Sequence, residues 1–208
     1  MNAAGAVGDI KSLDERSRWT RIVTVTVATW GAAVGTIAAA GGFRALPIRL
    51  FPLLAAAGVL VPTAAYVRSP GLRAWFDGFG QRRIVLFHAW RILAALAFWV
   101  YGAKGLLPPV FVRNAAWGDL VAGVLALAVV RWWPRRRGFL VFHAVGFADF
   151  LSAVGTGFTF ALAGDPRMAS IAAFPLALIP LFGVGLSGAS HLASFAQLLN
   201  PNRSEKKS

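Results

Sequence analysis

Apolar residues run through this chain in six blocks of roughly 20, and polar residues collect between the blocks instead of alternating within them. The blocks are Trp19–Phe43, Ile48–Val67, Ile84–Leu107, Ala115–Trp133, Phe139–Ala163 and Ser170–Leu198. A helix of about 20 apolar residues matches the hydrocarbon core of a bilayer, and such length without a strand-like period of two predicts membrane-spanning helices. The expected fold is all-α: an integral membrane bundle of six transmembrane helices filling residues 19–199, with polar tails at 1–18 and 200–208. No soluble domain fits in what is left. Between the second and third blocks, Pro70, Leu72, Trp75, Phe76 and Phe79 alternate with Arg73, Asp77 and Arg82, the pattern of a short amphipathic stretch lying along headgroups.

Composition agrees: 57% of the 208 residues are hydrophobic and 14% are charged. The net charge of +13 is decided by its placement. With the N-terminus inside, the inner segments hold Lys11, Arg16, Arg18, Arg21, Arg68, Arg73, Arg82, Arg83, Arg131, Arg135, Arg136, Arg137, Arg203, Lys206 and Lys207. The outer segments hold only Arg44, Arg49, Lys104, Arg113 and Arg167. This bias puts both termini in the cytoplasm. It also assigns the basic loops to anionic lipid, with no nucleic-acid partner required. Arg16 and Arg18 precede an apolar run ending at Ala38-Ala39-Ala40, which has the look of a secretory leader, but the run is longer than a signal core and reads as a retained first span. Without cysteine the chain has neither disulfides nor thiolate ligands.

One short pattern occurs twice. Arg82-Arg83 leads to Phe87-His88-Ala89, and about 55 residues later Arg136-Arg137 leads to Phe142-His143-Ala144. Each double arginine opens an apolar block, so each imidazole lies about 8 Å inside the surface its arginines mark. Histidine within a bilayer is costly unless paired or ligated, which makes the pair candidate site residues. His191 on the sixth block lies at similar depth. Three imidazoles at one level are candidate ligands for a divalent metal, and two on facing helices for haem b, with Arg82 and Arg136 near its propionates.

Arg91, Asp119 and Asp149 lie deeper. Arg91 is too deep to reach the surface, so Asp119 or Asp149 is its expected partner, whether as a structural ion pair or as part of a polar pathway. Two polar stripes, Asp149-Ser152-Thr156-Thr159 and Ser187-Ser190-His191-Ser194, should face protein or water and serve chiefly as hydrogen-bonded contacts between helices. Pro175, Pro180 and the glycines 183, 185 and 188 predict a kinked or partly unwound sixth helix. Phosphate loops, nucleophile elbows and catalytic carboxylate pairs are lacking, so no soluble-type enzyme is expected and catalysis is left open.

Trp90-Arg91, Gly118-Asp119-Leu120, Phe147-Ala148-Asp149-Phe150, Pro175-Leu176-Ala177-Leu178-Ile179-Pro180 and His191-Leu192, in that order, resemble the landmarks of small bacterial multi-pass inner-membrane proteins of unassigned function. The resemblance implies a bacterial inner-membrane location and no particular chemistry. Three functions compete: a haem- or metal-binding membrane protein serving as an electron-transfer subunit, a small-solute or proton-coupled transporter, and an accessory subunit bound to other membrane proteins.

Overall fold

The computed structural model describes residues 3–200, with side chains from residue 13 onward. Lys11, Arg203, Lys206 and Lys207 of the charge count fall outside the described side chains. All regular elements among the described residues are helical: α1 (Ala3–Ala39), α2 (Phe51–Arg68), α3 (Pro70–Asp77), α4 (Gln81–Phe87), α5 (Arg91–Ala103), α6 (Pro109–Trp132), α7 (Arg136–Leu162) and α8 (Val184–Leu199), joined by short 3₁₀ and π turns.

Among the described residues, six helical segments are long and apolar enough to cross a membrane: Leu13–Ala39, Ile48–Arg68, Gln81–Ala103, Pro109–Trp132, Arg136–Leu162 and Ile179–Leu199. Three local differences from the sequence pattern have physical reasons. Helix α1 begins at Ala3 instead of at the first apolar block; residues 3–18 contain no proline, and half of them are the good helix formers Ala, Lys, Glu, Arg and Leu. The third segment is α4 and α5 joined by a 3₁₀ turn at His88–Trp90, which swings His88 and Arg91 into the bundle. In the sixth block, residues 166–172 form a 3₁₀ turn and helix resumes only at a π turn, Ile179–Gly183. Pro175 and Pro180 supply no N–H there, so the α-ladder cannot run unbroken.

Helix α3 is the amphipathic stretch. Ser69 caps it, its Oγ accepting from Leu72 N at 3.2 Å, and Pro70 occupies the first turn, where no N–H is needed.

The core has two apolar clusters. One gathers Phe98, Phe111, Ala115, Leu176 and Leu181; the other, toward the double arginines, gathers Val85, Ala126, Val129, Phe142 and Leu198. Along α4–α5 the order is Val85, His88, Arg91, Phe98, and along α6 it is Ala115, Asp119, Ala126. The ionisable side chains thus form a layer between two dry clusters.

Candidate functional site

Arg91 is 3% exposed and stands at the centre of that layer. Its Nε donates to Asp119 Oδ1 at 2.6 Å, its Nη2 to Asp149 Oδ2, and its Nη1 to the Gly146 carbonyl at 3.2 Å. The sequence pointed to one acid or the other as partner; the structure supplies both, one from α6 and one from α7. Two glycines permit the approach. A Cβ on Gly118 would collide with the Asp149 carboxylate, and one on Gly146 would meet His191 Cε1 at 2.8 Å. With both acids ionised the trio carries one negative charge in excess, held away from water.

His88, His143 and His191 come from α4–α5, α7 and α8, and each is 0% exposed. Their rings pack on one another: His88 and His191 have centroids 4.2 Å apart, and His143 and His191 5.0 Å apart, edge to face. Phe142 touches all three rings. One nitrogen from each histidine can be chosen so that all three lie within 4.8 Å of one another.

The hydrogen bonds fix the tautomers. Gln81 donates through its amide nitrogen to Gln197 Oε1, and Gln197 donates to the Asp77 carbonyl at 3.1 Å. Gln81 Oε1 therefore faces His143 Nε2 at 2.9 Å and accepts from it. Ser190 spends its hydroxyl hydrogen on the Ser187 carbonyl at 2.9 Å, so at 3.0 Å its oxygen accepts from His88 Nε2. Both rings thus carry the proton on Nε2 and leave Nδ1 as a bare lone pair. His191 Nδ1 lies 2.8 Å from His143 Nδ1 and donates into it, which leaves His191 Nε2 bare. Among the described residues, His88 Nδ1 and His191 Nε2 are buried without a hydrogen-bond partner. Unpaired buried nitrogens are costly, and this one cluster holds two of them.

The chain belongs to the family described as Domain of unknown function (DUF8737), which matches residues 48–199. No curated protein and no solved structure matches it. The matched span begins after α1 and contains every residue of the site.

Arg82 and Arg136, the expected propionate contacts, lie in the first turns of α4 and α7. Arg136 donates through Nε and Nη2 to the Leu198 carbonyl, at 3.0 and 2.7 Å, and so caps the C-terminal end of α8. Arg82 is exposed at the start of α4. Of the stripe on α7, Thr156 makes an inter-helix contact, accepting from Asn114 on α6 at 3.1 Å while bonding back to the Ser152 carbonyl, whereas Ser152 and Thr159 are exposed and Thr159 bonds back to the Gly155 carbonyl. Sequence reasoning missed Gln81 and Gln197. Each is a neutral amide at the edge of an apolar block, and its only signal was standing six or seven residues from a histidine on the same segment.

Proposed function

We propose that this chain is a multi-pass protein of the bacterial inner membrane, with both ends cytoplasmic, that binds one transition-metal ion through His88, His143 and His191 and serves as an electron-transfer subunit. The membrane placement rests on the six apolar helices and on the concentration of basic residues at one end of the bundle.

The observation that carries the metal reading is the second layer of hydrogen bonds. A ligating histidine characteristically gives its other N–H to a carbonyl, carboxylate or similar acceptor, which fixes the tautomer and aims the lone pair. His143 does this to Gln81 and His88 to Ser190. His191 offers its bare Nε2, whereas His143 Nδ1 becomes a ligand only once the proton it accepts from His191 has moved or left, so binding is coupled to proton displacement. With both acids ionised, the excess negative charge of the Arg91 trio offsets part of the charge of a bound cation. Imidazole nitrogens suit copper, zinc, iron and nickel, and the affinity order favours copper. Nitrogens about 2.0–2.1 Å from a metal converge more closely than the 4.8 Å spread seen here, so small ring movements accompany binding.

The packing favours an ion over a haem. Three rings in mutual contact leave no slot for a porphyrin plane between any two of them. The deciding experiment is metal analysis of protein purified without chelators, with copper or iron at one equivalent per chain expected, and with loss of metal in His88→Ala and His143→Ala. Zinc alone would retain the site and remove electron transfer; a metal-free, folded, monodisperse preparation that does not take up added copper or iron sinks the proposal. A second reading, solute transport, is favoured by the buried trio of Arg91 with two acids. It requires uptake into vesicles that Arg91→Gln abolishes while metal content stays unchanged.

A further inference from the structure

A groove of about 650 Å³ separates the middle of α1 from the rest of the bundle. Ile22 and Val27 of α1 form one wall, and Val61 and Ala65 of α2 with Ala189 and Ala193 of α8 form the other. The groove is built, because α1 is fastened at both ends and stands off between them. Toward one end Trp30 packs edge to face on Phe182 at 5.2 Å and lies against Gly58 and Gly185. At the other, Thr20 Oγ1 accepts from Trp75 Nε1 at 2.9 Å, and Arg16 Nη2 donates to the Gly78 carbonyl at 3.2 Å. Helix α3 therefore floors the groove at the basic end and Trp30 closes it at the other, leaving a side opening.

Its lining is apolar and aromatic, with one charged side chain, Arg83, at the α3 end. The volume falls within the range of about 300–1,000 Å³ typical of pockets that enclose one small ligand. We propose that this groove holds one acyl chain of an anionic phospholipid whose phosphate sits on Arg83. The inference rests on the membrane reading above, and on three features together. A void of this size beside bilayer chains would forfeit van der Waals contact on every wall. The opening lies along the side of the bundle, where chains of the surrounding lipid would enter. Arg83 lies in the first turn of α4 next to Arg82, at the level where headgroups of a basic inner face would lie, so it complements an anionic headgroup and discriminates against a zwitterionic one.

The test is native mass spectrometry of the full chain in detergent, offered phosphatidylglycerol, phosphatidylcholine or oleic acid in turn. One phosphatidylglycerol per chain should be retained at least tenfold better than phosphatidylcholine. Ala189→Trp, which fills the groove, should remove it, and Ala65→Phe provides an independent filling variant should the first not fold. Arg83→Gln should lower retention of phosphatidylglycerol to that of phosphatidylcholine. Equal retention of the two lipids by the unaltered chain, retention surviving both filled grooves, or oleic acid held in preference to either phospholipid would each overturn the proposal. Carbonate extraction of cell membranes separates this failure from that of the membrane reading: a chain released as soluble protein sinks both, whereas a membrane-retained chain without the lipid sinks only this one.

Discussion

Helices α1 and α8 are both apolar and both long enough to cross a bilayer, yet only 11% of the apolar window of the α1 segment is buried against 56% for the segment ending in α8. The difference lies in what their polar residues have to meet. Helix α8 carries Ser187, Ser190, His191 and Ser194, all buried, and must face the bundle to satisfy them. Helix α1 has no comparable demand along its apolar stretch: Val34 and Ala38 are its buried hydrophobics, and Val25 and Ile37 stay exposed. Apolar length makes a helix able to span, and buried polar groups give it an address in the fold. That α1 also precedes the family match at residue 48 fits its place as an addition to a five-segment core.

The comparison would break first at Arg91. Replacing it with Leu leaves Asp119 and Asp149 as uncompensated buried charges, and removing one partner of such a set costs about 3–5 kcal/mol. Arg91→Leu should therefore unfold the chain or lower its thermal midpoint by many degrees, measured in detergent. Adding Asp119→Asn and Asp149→Asn in that background should recover part of the loss. Simple additivity of the three changes would mean that the contacts carry no coupling.

A matched pair of apolar changes sharpens the contrast between the two helices. Leu198 on α8 is 8% exposed and packs in the apolar cluster with Phe142, and Leu198→Ala leaves a cavity there at a cost of about 2–5 kcal/mol. Val25 on α1 is 59% exposed, and Val25→Ala should stay within about 0.5 kcal/mol. Denaturation of the two variants side by side gives the answer, and a larger loss at Val25 would mean that α1 is covered by something the isolated chain lacks. Gly118→Ala tests the same rule at the site. Its new methyl group would meet the Asp149 carboxylate, so the ion pairs should loosen where an exposed Gly→Ala would stabilise the helix.

Much of this was legible in the sequence because long apolar helices announce themselves by length, and because ionisable residues are rare enough in them to be counted one by one. His88, His143 and His191 could be placed at one depth from the helical rise alone, and the structure brings them into contact. Depth is one coordinate only. That Arg91 bridges two acids depended on Gly118 and Gly146, whose missing side chains let α6, α7 and α8 close on one another, and a missing side chain gives no signal of what approaches it. Arg82 and Arg136 looked alike because they open equivalent motifs. Their environments differ: Arg136 finds the free carbonyl at the end of α8, and an end-to-side contact of this kind is invisible to periodicity. The start of α1 obeys another rule: the apolar block opens at Trp19, while the helix runs back through the polar residues to Ala3.

The smallest effect belongs to the pair most easily taken for an anchor. In the turn after α7, Asp165 accepts from Arg167 through the backbone N at 3.0 Å, Nε at 2.9 Å and Nη2 at 2.6 Å. These bonds hold the Asp165 carboxyl below its ordinary range, with the Arg167 side chain the largest cause. A carboxyl whose folded value is depressed contributes stability above its unfolded value, about 3.9, and loses it as pH falls through the folded value. Any contribution is therefore complete at neutral pH and disappears only in acid. Because the pair is in contact with solvent, the gain is screened and offset by the entropy of holding the arginine still. Arg167→Ala should leave the neutral-pH midpoint of unfolding nearly unchanged and flatten only its acid limb. A loss at neutral pH comparable to that of Arg91→Leu would show that this turn, and not the buried layer, holds the bundle together.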